Sequence, residues 1–310
     1  MLRFKHKRAG LSLTEALVAL FIMAIGMISL LTLFPLGAIQ MGRALRDDRC
    51  AQCAWQADGV VRTWWQVEVV DKPGTETGPY FASLDGGVAQ TATTPGMVVA
   101  IDPIGIWSGR TNKLAGSGID RKSSSLITSL KDSIRLCSLT DDVFFNEQGA
   151  PDTVSVAGRV VRQGRYNWMA MVQRPVNANR HVAALKVLVF DGRAPGSVTG
   201  NGEQLVNVTG AANGQTSLSI APQGLFAANG MTDTNFTLGK GGWLLDATGG
   251  NRMDFYRVQS ITQNGTTAVI ELDTPIKGSP APTQMIMLRG LAEVFDRPML
   301  APTAYLNPQP

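Results

Sequence analysis

Glu15 is the residue whose placement in this chain most strongly implies chemistry. It stands between a basic decapeptide, with Arg3, Lys5, Lys7 and Arg8 and no acid, and a run from Ala16 through Gly42 that has no charged residue. A carboxylate at the edge of so apolar a segment is costly to bury without a partner, which makes it a functional candidate; the bland alternative is that it snorkels to lipid headgroups. Cys50-x-x-Cys53 with Cys137 is the one cysteine constellation. A closed zinc site wants four ligands, and His6 and His181 supply no matching pair. A redox dithiol would open a helix beside a parallel βαβ unit, whereas this pair falls inside a helical pattern. Two readings remain. Either the thiols are unpaired and half-buried, or an oxidising compartment lets one of the pair bridge to Cys137, with Cys53–Cys137 the candidate disulfide.

Weaker patterns are better explained by structure. Gly239-Lys240-Gly241-Gly242 lacks the upstream glycine and following hydroxyl of a phosphate cradle and is expected to be a tight turn before a strand at Trp243. His181 precedes a strand and is expected at a turn or on the surface. Asp141, Asp142, Asn146, Glu147 and Asp152 do not follow the spacing of an EF-hand loop and read as a solvated loop. Trp64, Trp65, Trp107, Trp168 and Trp243 are expected in core packing or an interface. No Gly-x-Ser-x-Gly elbow, Walker loop or His-Glu-x-x-His occurs. No catalytic residue, metal site or cofactor is expected.

The elements that must position Glu15 follow from composition. With 310 residues, 44% hydrophobic and 17% charged, the chain can bury a sizeable core, and 33 Gly and 16 Pro predict many turns. Its net charge of +4 lies entirely in the first ten residues, leaving 24 bases against 24 acids in the remainder. That is a targeting feature, and no nucleic-acid partner is expected. Ala16 to Phe34, with Ser29 and Thr32 its only polar members, reaches about 28 Å as a helix, roughly the hydrocarbon thickness of a bilayer. The basic flank orients the amino terminus to the cytoplasm. An ordinary secretory signal fits poorly, because the apolar run is long and Gly42-Arg43-Ala44 is an awkward cleavage site.

The basic leader, Gly10, and then Leu11-Ser-Leu-Thr-Glu15-Ala-Leu-Val-Ala-Leu-Phe-Ile resemble the amino terminus of type IV prepilins and type II secretion pseudopilins. Glu15-Ala-Leu-Val-Ala-Leu with Ile25-Gly26 is most similar to the minor-pilin and pseudopilin branch. The resemblance covers roughly residues 1–45. It departs from the family at Leu11, where Phe is commonest, and at Pro35, which lies a little late. It implies cleavage between Gly10 and Leu11 by a membrane-embedded aspartic prepilin peptidase, methylation of the Leu11 amine, and an assembly role for Glu15, the fifth residue after the cut. The implied partners are that peptidase, other pilins or pseudopilins, the inner-membrane assembly platform and the inner membrane itself. Some pseudopilins bind calcium in a loop such as 141–152.

Beyond Pro35, which should kink or loosen the helix, Cys50, Cys53, Ala54, Ala57, Val61, Trp64 and Trp65 recur at spacings of three and four between polar residues, an amphipathic continuation to about residue 66. Segments 73–96 and 107–125 read as loops, and Ser123 to Cys137 as a short helix. Period-two segments follow at 154–163, 166–174, 182–190, 204–209, 215–221, 242–247, 253–262, 266–273 and 284–289. Gln263-Asn264-Gly265 marks a hairpin turn. The tail 298–310, with four prolines, is expected to run irregularly.

The fold class expected is α+β: a long amino-terminal helix, membrane-spanning then amphipathic, on an antiparallel β-rich globular domain, as in the pilin lollipop. The expected boundaries are 1–10 for a removed leader, 11–36 for the transmembrane helix, 37–67 for the amphipathic continuation and 68–310 for the periplasmic domain. The resemblance implies a minor pilin or pseudopilin, a structural subunit rather than an enzyme. The rival readings are a membrane-anchored periplasmic enzyme or binding protein, and a DNA-uptake minor pilin.

Overall fold

A computed structural model describes residues 12–71, 84, 95–139, 165–176, 181–193, 203–220, 238–264, 267–278 and 280–302. The chain divides into two units, Met1–Arg49 and Cys50–Pro310. A single helix, α1 (Leu13–Trp65), begins in the first and ends in the second. The long helix expected over residues 11 to 66 is therefore present. It runs through Pro35 without interruption, because losing one amide donor costs one hydrogen bond while the turns on either side keep theirs.

In the first unit the apolar side chains Leu17, Phe21, Ile25, Ile28 and Phe34 are exposed. The helix is long and apolar enough to cross a membrane. In the second unit the pattern changes to one buried stripe: Cys50, Cys53, Ala54, Ala57, Val61, Trp64 and Trp65 join one hydrophobic cluster. The helix ends in a π turn, Gln66–Val70.

The stripe packs against a five-stranded sheet made of β1 (Val98–Ile101), β2 (Asp120–Lys122), β3 (Tyr166–Gln173), β4 (Ala183–Asp191) and β11 (Leu291–Leu300). The order is β11-β4-β3-β1-β2, antiparallel except for β1 with β2. Alternation places Trp168, Ala170 and Val172 of β3 in the cluster shared with α1. Met169 and Met171 face a different cluster, together with Leu245 and Ile286. Being covered on both faces, β3 and β4 read as nearly continuous apolar runs.

The second cover is a closed antiparallel barrel of six strands, β5 (Glu203–Thr209), β6 (Ser217–Ile220), β7 (Trp243–Asp246), β8 (Phe255–Asn264), β9 (Thr267–Leu272) and β10 (Gln284–Leu288), ordered β10-β5-β6-β9-β8-β7. Its interior holds Val206, Leu218, Leu244, Tyr256, Ile270 and Met285. Closure removes the exposed strand edges that an open sheet would present. All six barrel strands lie between β4 and β11, which are neighbours in the sheet, so the barrel is an insertion into one antiparallel pair. At the neck the Asp191 amide donates to the Gly290 carbonyl at 2.7 Å. Gly290 has φ +75°, and a Cβ there would lie 3.0 Å from the Asp191 carbonyl oxygen, so only glycine fits.

The α+β layout is borne out, and eight expected strand segments coincide with β3 to β10. The expected hairpin is present, with Asn264 paired to Thr267. Segment 154–163, the acidic loop 141–152 and residues 73–96, apart from 84, 95 and 96, lie outside the described residues. Three expectations need correction. The loop read over 107–125 contains β2 and a 3-10 turn, Leu114–Gly116, and the helix read from Ser123 is a shorter one. The described helices after α1 are α2 (Pro103–Trp107) and α3 (Leu130–Cys137), the latter capped by Ser129, whose hydroxyl accepts from the Asp132 amide at 3.1 Å. The tail does not become irregular at 298, because Pro298–Leu300 complete β11. β11 is an edge strand, where a proline's missing donor need not break a ladder. Register shifts at Leu291/Glu293 and Arg297/Leu300 blur its alternation.

Candidate functional site

The described part of the amino-terminal motif begins at Ser12. Its hydroxyl accepts from the Glu15 amide at 3.2 Å, and its own amide donates to Glu15 Oε2 at 3.3 Å. This is a capping box: two helix-end amides are satisfied reciprocally by the Ser and by the residue three later. The Ser-x-x-Glu spacing ahead of an apolar run is the sequence signature of this box, beside the charge of Glu15 that the sequence reading rests on. The carboxylate thus has a local backbone partner but no counter-charge among the described residues. Gly10 and Leu11 lie outside the described residues.

A second polar constellation, not anticipated from sequence, fills the seam between sheet and barrel. Asp102, which follows β1, is wholly buried and caps α2 by accepting from the Gly105 amide at 3.0 Å. Arg193, just beyond β4, grips it with two donors at 3.1 and 2.5 Å. Arg121 of β2 approaches Asp102 at 3.0 Å and also pairs with Glu203 at the start of β5. Arg110 donates to Glu203 at 2.5 Å. Burial alone would raise the Asp102 pKa, but the Arg193 and Arg121 charges overcome it and hold the group at about 2. Burial likewise opposes ionisation of Glu203, and Arg193 and Arg121 again prevail, lowering its pKa. These five residues come from five separate places in the chain, which is why no local spacing announced them. Their chemistry is structural: they lock the point at which the barrel leaves the sheet. Glu68 in the π turn is similarly buried, its Oε1 accepting from the Ser124 hydroxyl and from the Ser125 amide and hydroxyl, each at 2.7 Å.

Cys50, Cys53 and Cys137 form no disulfide in the cluster beneath α1 and are fully buried rather than half-buried. Burial first, then the nearby Asp102 and Cys53, pushes the Cys137 pKa well up, so its thiolate is disfavoured. His181 sits at a turn as expected, its carbonyl accepting from Trp65 Nε1 at 2.8 Å. Residues 239–242 form the expected turn, with Gly241 at φ +85°. Trp64, Trp65 and Trp168 are core, with Trp64 and Trp168 rings 5.7 Å apart. Trp243 is partly buried, whereas Trp107 is exposed. No group of three or more metal-ligating side chains occurs among the described residues.

With this geometry in place, the family described as the prokaryotic N-terminal methylation motif matches residues 5–31. No curated protein and no solved structure matches the chain. The match takes in residues 5–10 of the basic decapeptide, Glu15 and most of the apolar run. It supports a type IV prepilin or pseudopilin-type protein, in which an apolar helix carrying a methylation motif precedes an antiparallel β-rich domain. A structural subunit anchored in a membrane is the role the motif suggests.

Proposed function

We propose that this chain is a minor pilin or pseudopilin, an assembly subunit of a type IV pilus or type II secretion filament. Residues 1–10 are the leader, 11–36 the transmembrane helix, 37–67 its amphipathic continuation and 68–310 the periplasmic domain of a single-pass inner-membrane protein with a cytoplasmic amino terminus. Prepilin peptidase cuts between Gly10 and Leu11, and the new Leu11 amine is methylated. The observation that carries this reading is the methylation motif over residues 5–31. The size of the β-rich domain favours a minor position over a repeating one.

In the assembled filament Glu15 pairs with a Leu11 amine, that of a neighbouring subunit included, and this sets the axial register. An unpaired carboxylate in an apolar bundle is costly, and that cost favours the pairing. In the oxidising periplasm Cys53 and Cys137, which share one buried cluster, close as a disulfide. Mass spectrometry of protein extracted from the native host's membranes is expected to find a methylated Leu11 amino terminus; an intact Met1 would remove the assignment. Glu15→Gln should leave cleavage and insertion intact and deplete the chain from sheared filaments. Incorporation at the wild-type level would refute charge pairing.

A further inference from the structure

A cleft of about 580 Å³ opens where the sheet meets the barrel, between β3, β4, the turn after β7 and the segment before β10. Its volume is within the range of ligand pockets, roughly 300–1,000 Å³. Its charged lining residues are Lys186, Arg252 and Asp254, and its apolar wall includes Met253, Pro95 and Pro280.

Nearly every polar group around it is already matched. Asp246, buried behind the wall, accepts from Arg252 Nη1 and from the Thr248 amide, each at 2.9 Å. The other Arg252 nitrogen donates to the Pro280 carbonyl. Lys186 is paired with Asp296. The Gln173 amide donates to the carbonyls of Gly96 and Asn251, at 3.0 and 2.5 Å. Asp254 is different. Its carboxylate lines the cleft and forms no hydrogen bond or ion pair among the described residues. Burial first, and then the neighbouring Asp246 charge, raises its pKa, against the lowering influence of Lys186, Lys277 and Arg252. Two of those three cations are committed to Asp296 and Asp246, and Lys277 is exposed to water.

We propose that this cleft binds an ammonium or guanidinium group on a slender stem, the side chain of a lysine or arginine in a protein segment, with Asp254 as the counter-charge and Met253 and Pro280 flanking the stem. A cation entering the cleft supplies what Asp254 lacks, a partner for a carboxylate already partly withdrawn from water. The inference stands independently of whether the chain assembles into a filament.

The test is calorimetric or ligand-detected NMR titration of the full chain in detergent. The probes are N-acetyl-lysine methylamide, N-acetyl-arginine methylamide, the neutral N-acetyl-norleucine methylamide and n-butylamine. The two cationic amino-acid probes should bind, and Asp254→Asn should weaken them at least tenfold. Norleucine binding as tight as lysine, or undiminished binding to the Asn variant, overturns the proposal. Weaker binding of n-butylamine than of the lysine probe assigns the cation to a protein segment; equal binding assigns it to a free amine. Lys277→Gln, which removes the water-exposed competitor, should tighten the cationic probes. The Asn variant should fold, because a carboxyl whose pKa is raised in the native state opposes folding at neutral pH. The wild-type protein gives a second measurement: affinity should fall as Asp254 takes up a proton, and a pH-independent affinity is incompatible with the site.

Discussion

The two parts of α1 obey opposite rules on one continuous helix. Up to Arg49 the described large apolar side chains are exposed, Phe21 at 66% and Leu31 at 76%, with no buried stripe among them. From Cys50 onward one face is sealed, Ala54 and Ala57 at 0%, while the other keeps Gln52, Asp58 and Arg62 in or near water. Apart from the one amide donor that Pro35 lacks, both parts are continuous α-helix, so the backbone cannot account for the contrast. The surroundings do. An all-round apolar helix suits lipid, where helices gain little from hiding hydrophobic groups, whereas a striped helix suits a protein core bathed in water. Charge follows the same division. Among the described residues Glu15 makes a capping contact, while Asp102 in the globular unit is enclosed by arginines that also share Glu203. The second arrangement uses its charges up internally.

Several substitutions test that contrast, beginning with the largest effect. Arg193→Met strips the doubly held Asp102 of its main partner and leaves a carboxylate buried, which should cost about 3–5 kcal/mol in chemical denaturation. A loss below about 1 kcal/mol would mean the seam is open to water. Acid probes the same seam without mutation. The folded Asp102 pKa of about 2 is depressed from 3.8, so its contribution is complete above the unfolded value and disappears as pH falls through the folded one. At about 1.4 kcal/mol per unit this is about 2 kcal/mol, lost between roughly pH 4 and pH 2. Arg193→Met should flatten that part of the stability profile.

Ala54→Leu forces extra volume into a sealed stripe and should cost about 1–3 kcal/mol. Ala38→Leu, on the exposed part of the same helix, should leave the unfolding midpoint unchanged. Equal effects at both sites would erase the distinction. The smallest readout is a thiol count. After oxidative folding and denaturation, one free thiol is expected if Cys53 and Cys137 have joined, and three would exclude the bridge.

Local features of the sequence were sufficient for much of this molecule. The basic decapeptide, Gly10, the spacing to Glu15 and the apolar run lie within a few dozen consecutive residues, and the methylation motif matches residues 5–31 of that stretch. The stripe from Cys50 to Trp65 and the strands β3 to β10 were equally legible, since side-chain periods of 3.6 and 2 are set by backbone geometry. What joins distant segments was not. Short β1 and β2 gave too few alternations to register, and β11 is held in place by pairing with β4 despite Pro298 and its irregular register. Tertiary structure alone decided that the barrel is inserted between β4 and β11. It also brought Asp102, Arg121, Arg193 and Glu203 to one seam and set Asp254 in the wall of a cleft, because contacts between residues far apart in the chain depend on how the finished elements pack.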